Sequence, residues 1–229
     1  MSVKSWNESL PRYLDHTVLR PEATKADVLR LCAEAREQGF VVIFVPPCYV
    51  DEAVAAVAGT DVQVGIPIGF PLGGHSTHAK VTEAMEAVAH GARVLDMVIN
   101  ISRLKSGDYD VVRNDMAAVV QATPGVNHKV ILETCLLTRE EKITACRLAV
   151  EAGMDYVKTS TGFNQAGATV EDVRLMKEAV AGRAKVKASG GIRDWKTTRE
   201  LLEAGADRIG TRASLKILSE WRAALVAVR

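Results

Sequence analysis

The sequence predicts a closed (β/α)8 barrel, the TIM-barrel class of α/β protein, on three grounds. Eight short β-branched runs recur along the chain, a helix-patterned segment follows each of them, and no Pro/Gly/Ser-rich linker splits the series. At 229 residues the chain lies toward the lower end for this architecture, for which about 250 is typical. A doubly wound open sheet is the alternative, and it usually needs fewer repeats.

The strands are expected at 13–16, 41–45, 62–66, 93–99, 129–133, 156–159, 184–188 and 208–210. The first is short and the last, within "DRIGT", is barely apolar, so an open sheet results if either of them fails. Helices are expected at 25–38, 51–58, 77–90, 109–123, 139–152, 170–180, 196–204 and 214–228. Their ends are punctuated. Thr24 precedes "KADVLRLCAEA", and Thr138 is followed by Glu141 at capping-box spacing. "EQGF", "AHGAR", "EAGMD" and "EAGAD" each place glycine just past a helix, where a left-handed residue closes the last turn. The expected organisation is one domain over 1–229, with residues 1–10 a short N-terminal extension.

Composition narrows the function classes. Apolar residues make up 48% of the chain, enough for a large core, and 29 basic residues nearly cancel 28 acidic ones. No global field favours nucleic acid or an anionic membrane as a partner, so any anion site must be local. The N-terminus lacks an apolar signal region and no run approaches a membrane span, which points to the cytoplasm. Cys32, Cys48, Cys135 and Cys146 lie far apart with no CxxC pair, as suits reduced thiols. Cys135 stands near a strand end, but His128, the base it would need, is at the opposite end of that strand.

In a parallel barrel the active site forms where strands hand over to their following loops. Four charged residues fall there: Asp15 on the first strand, Asp96 in "RVLDMVIN", Lys158 at the end of the sixth and Lys187 in "AKVKASGG". Alternation sets Asp96 opposite Leu95 and Met97, and Lys187 opposite Val186. If the apolar residues face the helices, the charges face the barrel interior, where two lysines and two aspartates would have to balance one another. Burial and a neighbouring ammonium both favour the neutral form of a lysine, leaving a nucleophilic amine. Such an amine forms a Schiff base with a carbonyl and lets an adjacent C–C bond break through an enamine, with no metal or other cofactor. An aspartate and a second lysine would move the protons.

Glycines mark an anion end. "ASGGIRD" places Gly190 and Gly191 after the seventh strand, "RIGTRAS" places Gly210 and Arg212 at the eighth, and Gly162 follows the sixth. Helix N-termini near Asp194 and Ser214 would add positive dipole ends. His75 and His78 have metal-ligand spacing, but no carboxylate or cysteine stands beside them to complete a set, so no metal site is expected.

The ordered segments "LDHTVLRPEAT", "IGFPLG", "LDMVIN", "KVILETCLLT", "YVKTSTGF", "GATVEDVRLMK", "VKASGGIRD" and "RIGT" resemble the deoxyribose-phosphate aldolase family from about residue 14 to 210. The resemblance implies a class I aldolase that reversibly cleaves 2-deoxy-D-ribose 5-phosphate to acetaldehyde and D-glyceraldehyde 3-phosphate. It also implies Lys158 as the Schiff-base lysine, Lys187 as the partner that lowers its pKa, and Asp96 as proton donor and acceptor. Asp15 would hold Lys187 by a salt bridge, with Thr17 close by. The expected partners are a phosphorylated sugar, aldehydes and further copies of the chain, as a dimer or tetramer. Arg212-Ala213 stands where many relatives carry Ser-Ser, Asn164-Gln165-Ala166 where they are often Gly/Pro-rich, and "FVPP" where "CVNP" is commoner. Two alternatives stay open: a related Schiff-base aldolase with another acceptor aldehyde, and a non-catalytic sugar-phosphate-binding barrel.

Overall fold

Each β-branched run is too short to bury both its faces alone, so the runs pair side by side and the helices between them cover the outside. The computed structural model describes Trp6 and residues 9–227. Strands β1 (Leu14–Thr17), β2 (Val42–Phe44), β3 (Gln63–Ile68), β4 (Val94–Val98), β5 (Asn127–Ile131), β6 (Tyr156–Lys158), β7 (Lys185–Ser189) and β8 (Arg208–Thr211) are all parallel and close in sequence order. Both weak units form. Asp15 of β1 pairs with Gly210 of β8 and with Val42 of β2, so the two expected points of failure complete the ring.

The helices are α1 (Lys25–Gln38), α2 (Val50–Ala56), α3 (Thr77–Ala89), α4 (Ile101–Lys105), α5 (Tyr109–Ala122), α6 (Arg139–Glu151), α7 (Val170–Val180), α8 (Trp195–Glu203) and α9 (Ser214–Ala227). Both expected caps are present. Thr24 forms a reciprocal capping box with Asp27, and Thr138 forms one with Glu141. Gly39 ends α1 at φ 78°, a left-handed turn that costs a residue without Cβ little. Helix α4 was not expected. It is a single capped turn after β4, with the Asn100 side chain accepting from the Arg103 N–H, and it is too short to show a period. Of the extension expected over 1–10, only Trp6, Ser9 and Leu10 belong to the described residues, and the Val228 end of the last helix lies outside them.

The main apolar core lies between barrel and helices and takes Leu95, Met97, Val186 and Ile209 from the outward faces of their strands. Inside the barrel, Val42, Phe44 and Val94 form a separate, small apolar cluster. Charged side chains fill the rest of that interior, where barrels normally stack branched apolar residues. Among the described residues no helix is long and apolar enough to cross a membrane.

Candidate active site

Register brings the interior charges to one level. Lys158 of β6 is aligned with Lys187 of β7, Lys187 with Arg208 of β8, and Asp96 of β4 with Lys129 of β5. The amines of Lys158 and Lys187 each donate to the same oxygen, Asp96 Oδ2, at 2.7 Å. Lys187 Nζ also lies 2.7 Å from Asp15 Oδ2, an ion pair without hydrogen-bond alignment. Asp15 Oδ1 accepts from Arg208 Nε at 2.5 Å. Lys129 Nζ sits 3.5 Å from Asp96 Oδ1, which has no hydrogen bond among the described residues.

The expected balance of two lysines against two aspartates is therefore incomplete. Lys129 and Arg208 raise the cations to four against the carboxylates of Asp15 and Asp96. Such a cluster relieves its excess by giving up protons from its lysines, since arginine keeps its charge. Burial, partly offset by Asp96 and reinforced by Lys187, lowers Lys158 to about 8. Burial likewise lowers Lys129 to about 8 against the pull of Asp96 and Asp15. Burial opposes the charge on Asp15, yet Arg208 and Lys187 overcome it and bring the carboxyl down to about 2. For Asp96 the same contest, with Lys158, Lys187 and Lys129 against burial, ends well below the usual carboxylate range.

Access separates the lysines. A cavity of about 600 Å³ opens at the C-terminal mouth, and it is lined by Lys158 but not by Lys129 or Lys187, which lie beneath. Lys158 is still only 5% exposed, so its amine is desolvated yet reachable. Thr17, Gly162, Gly190, Gly191, Gly210 and Arg212 line the same cavity. The Thr17 hydroxyl donates to the Asp15 carbonyl oxygen, tying the β1 loop to its own strand. Gly190 has φ 86° and packs 3.0 Å from the Gly167 Cα by the position a Cβ would occupy, so the β6 and β7 loops meet backbone to backbone. Asp194 caps α8 and Ser214 begins α9, which brings two helix N-termini toward this end. His75 and His78 are exposed and do not line the cavity.

Glu133 was expected as a strand end and is instead a buried carboxylate beyond β5, in a left-handed conformation at φ 57°. It accepts from the N–H and hydroxyl of Thr161, one residue before Gly162. The signal for Glu133 lies in that distant pairing, and nothing local to "ILETC" carries it.

The fold is that of a parallel-barrel aldolase, the class its relatives define. Residues 11–217 match the family model for DeoC/LacD family aldolases. A deoxyribose-phosphate aldolase from Thermoanaerobacter sp. (strain X514) is 52% identical over 216 residues, covering 93% of this chain and 97% of the relative. One from Brevibacillus brevis is 51% identical over 211 residues, covering 92% and 96%. Among solved structures, the tetrameric deoxyribose phosphate aldolase from Aeropyrum pernix superposes with a TM-score of 0.89 at 32% identity, covering 95% of this chain and 93% of that one. The chain belongs to the DeoC/LacD family of aldolases.

Proposed function

We propose that this chain cleaves 2-deoxy-D-ribose 5-phosphate reversibly to acetaldehyde and D-glyceraldehyde 3-phosphate through an imine on Lys158. The observation that carries the reading is that, of the three interior lysines, Lys158 alone borders the cavity, with its pKa lowered to about 8. The neutral amine adds to the aldehyde carbon of the open-chain sugar and water leaves, giving a protonated imine. Loss of the proton from the hydroxyl at C3 then breaks the bond between C2 and C3. The released pair enters the imine as an enamine, and glyceraldehyde 3-phosphate departs. Protonation of the enamine carbon and addition of water release acetaldehyde and restore the amine.

Asp96 is the proton donor and acceptor of this reading, because one of its oxygens bridges both lysines while the other makes no hydrogen bond among the described residues. Lys187 supplies the neighbouring charge, and Asp15 holds Lys187. The phosphate belongs at the glycine-lined end, with Gly162, Gly190, Gly191 and Gly210 admitting close backbone approach and Arg212 adding a cation.

The assembly proposed is a homo-oligomer, dimer or tetramer, a reading supported by the tetrameric Aeropyrum pernix relative. The four cysteines are free thiols, which suits the cytoplasm. The test is acetaldehyde release from 2-deoxyribose 5-phosphate by the full chain and by Lys158→Ala. Release by the former alone is expected. Undiminished release by the variant removes Lys158 from the mechanism, and no release by either removes this substrate.

A further inference from the structure

Two adjacent lysines share one carboxylate oxygen at equal distance, so Asp96 cannot by itself decide which of them is charged. Besides Asp15, which pairs with Lys187, a side chain that differs in its approach to them is Phe44, at the end of β2 and 1% exposed. Its ring centroid lies 3.9 Å from Lys187 Nζ but 5.5 Å from Lys158 Nζ and 5.4 Å from Lys129 Nζ. Attraction of a cation to an aromatic face fades toward about 6 Å, so the ring favours charge on Lys187. Toward Lys158 it offers an apolar wall and no hydrogen bond, which adds to desolvation.

Backbone pairing fixes the ring. Phe44 is in register with Thr17 on β1 and Gly65 on β3. A Cβ at Gly65 would fall 2.7 Å from two ring carbons of Phe44, so the ring occupies space that any other residue at 65 would need. The other charged groups around this interior are Asp15 on β1, Asp96 on β4, Lys129 on β5 and Arg208 on β8. Asp15 also favours charge on Lys187, and it is left untouched by a change confined to the ring.

We propose that Phe44 is a positioning residue that assigns the proton within the lysine pair, holding the ammonium on Lys187 and leaving Lys158 as the free amine. The inference rests on Lys158 being the Schiff-base lysine. It is tested by replacing Phe44 with mono-, di- and trifluorinated phenylalanine, which weakens the negative ring face stepwise at nearly constant shape. As charge on Lys187 becomes less favourable, the proton moves to Lys158. The acid limb of kcat/KM for cleavage then moves stepwise toward higher pH, by about one unit over the series. The plateau rate above the limb and the urea midpoint stay near their unsubstituted values, a pattern that loss of packing alone does not produce. Borohydride trapping with acetaldehyde on the unsubstituted protein separates the levels of the argument. An adduct on Lys158 with a limb that stays fixed, or moves to lower pH, overturns the role of Phe44 alone. No adduct on Lys158 overturns the Schiff-base reading and this inference with it.

Discussion

Lys158 and Lys187 stand in register on neighbouring strands, and both donate at 2.7 Å to a single oxygen of Asp96. Two ammonium groups so placed, both buried, repel each other, so discharging one of them relieves the cluster. Discharge also creates a nucleophile.

The first consequence is a pH profile. An amine with its pKa near 8 is neutral above that value, so kcat/KM rises about tenfold per pH unit below the limb and levels off above it. Lys187→Met removes a cation that helps to lower Lys158, so its limb moves to higher pH by about one unit, alongside a loss of plateau rate. A rate profile for both proteins checks the direction, and a limb that moves down contradicts it.

Asp96→Asn keeps the shape and deletes the charge and the proton acceptor. Turnover is expected to fall by about 10²- to 10⁴-fold, the usual worth of a positioned acid–base group. Exchange of solvent deuterium into the acetaldehyde methyl group, followed by NMR, should fall in parallel, because enamine protonation needs the same group.

Arg212→Ser exchanges an exposed cation for a hydroxyl at the anion end of the cavity. KM for the phosphorylated substrate should rise roughly tenfold with kcat little changed, the mark of an interaction made equally in ground and transition states. Steady-state kinetics with and without the phosphate group give the comparison, and equal KM values in variant and parent remove Arg212 from the site.

Glu133→Ala frees Thr161 from its buried partner and costs the β6 loop its anchor beside Gly162. The expected result is a KM several times higher for the phosphorylated substrate, roughly three- to tenfold, with an unchanged acid limb, because the lysine cluster is left intact. A shifted limb instead would mean that Glu133 acts on the lysines.

Stability depends on a different buried pair. Lys80 of α3 donates to Asp115 of α5 at 2.6 Å and to the Val98 carbonyl oxygen at the end of β4, with both charged side chains buried. Asp115→Ala strands the ammonium and should cost about 3–5 kcal/mol in urea unfolding. The double change Lys80→Met with Asp115→Leu should recover much of that loss, and a double variant as weak as the single one speaks against the charge argument.

Much of the barrel was legible because its signals are local. Thr24 announces its helix by standing just before it, Thr138 by Glu141 three places on, and the phase of Leu95-Asp96-Met97 gives the inward side of β4. The same alternation turned Lys187 inward. Lys129 and Arg208 open the expected runs 129–133 and 208–210, where a charged residue reads as a solvated strand start. Their inward direction follows from the closure of the barrel, which no single run encodes. Phe44 reads as core in "VVIFV", and its place against three amines appears only when β2 is set across from β7. The Glu133 carboxylate finds its partner in Thr161, 28 residues away.

The most direct measurement reduces the protein with borohydride in the presence of acetaldehyde, across pH, and maps the ethylated residue by peptide mass spectrometry. The account predicts ethylation of Lys158, with a rate that rises through a midpoint near pH 8. Ethylation of Lys187 or Lys129 instead, or a Lys158 midpoint near the ordinary lysine value of about 10.4, would contradict it.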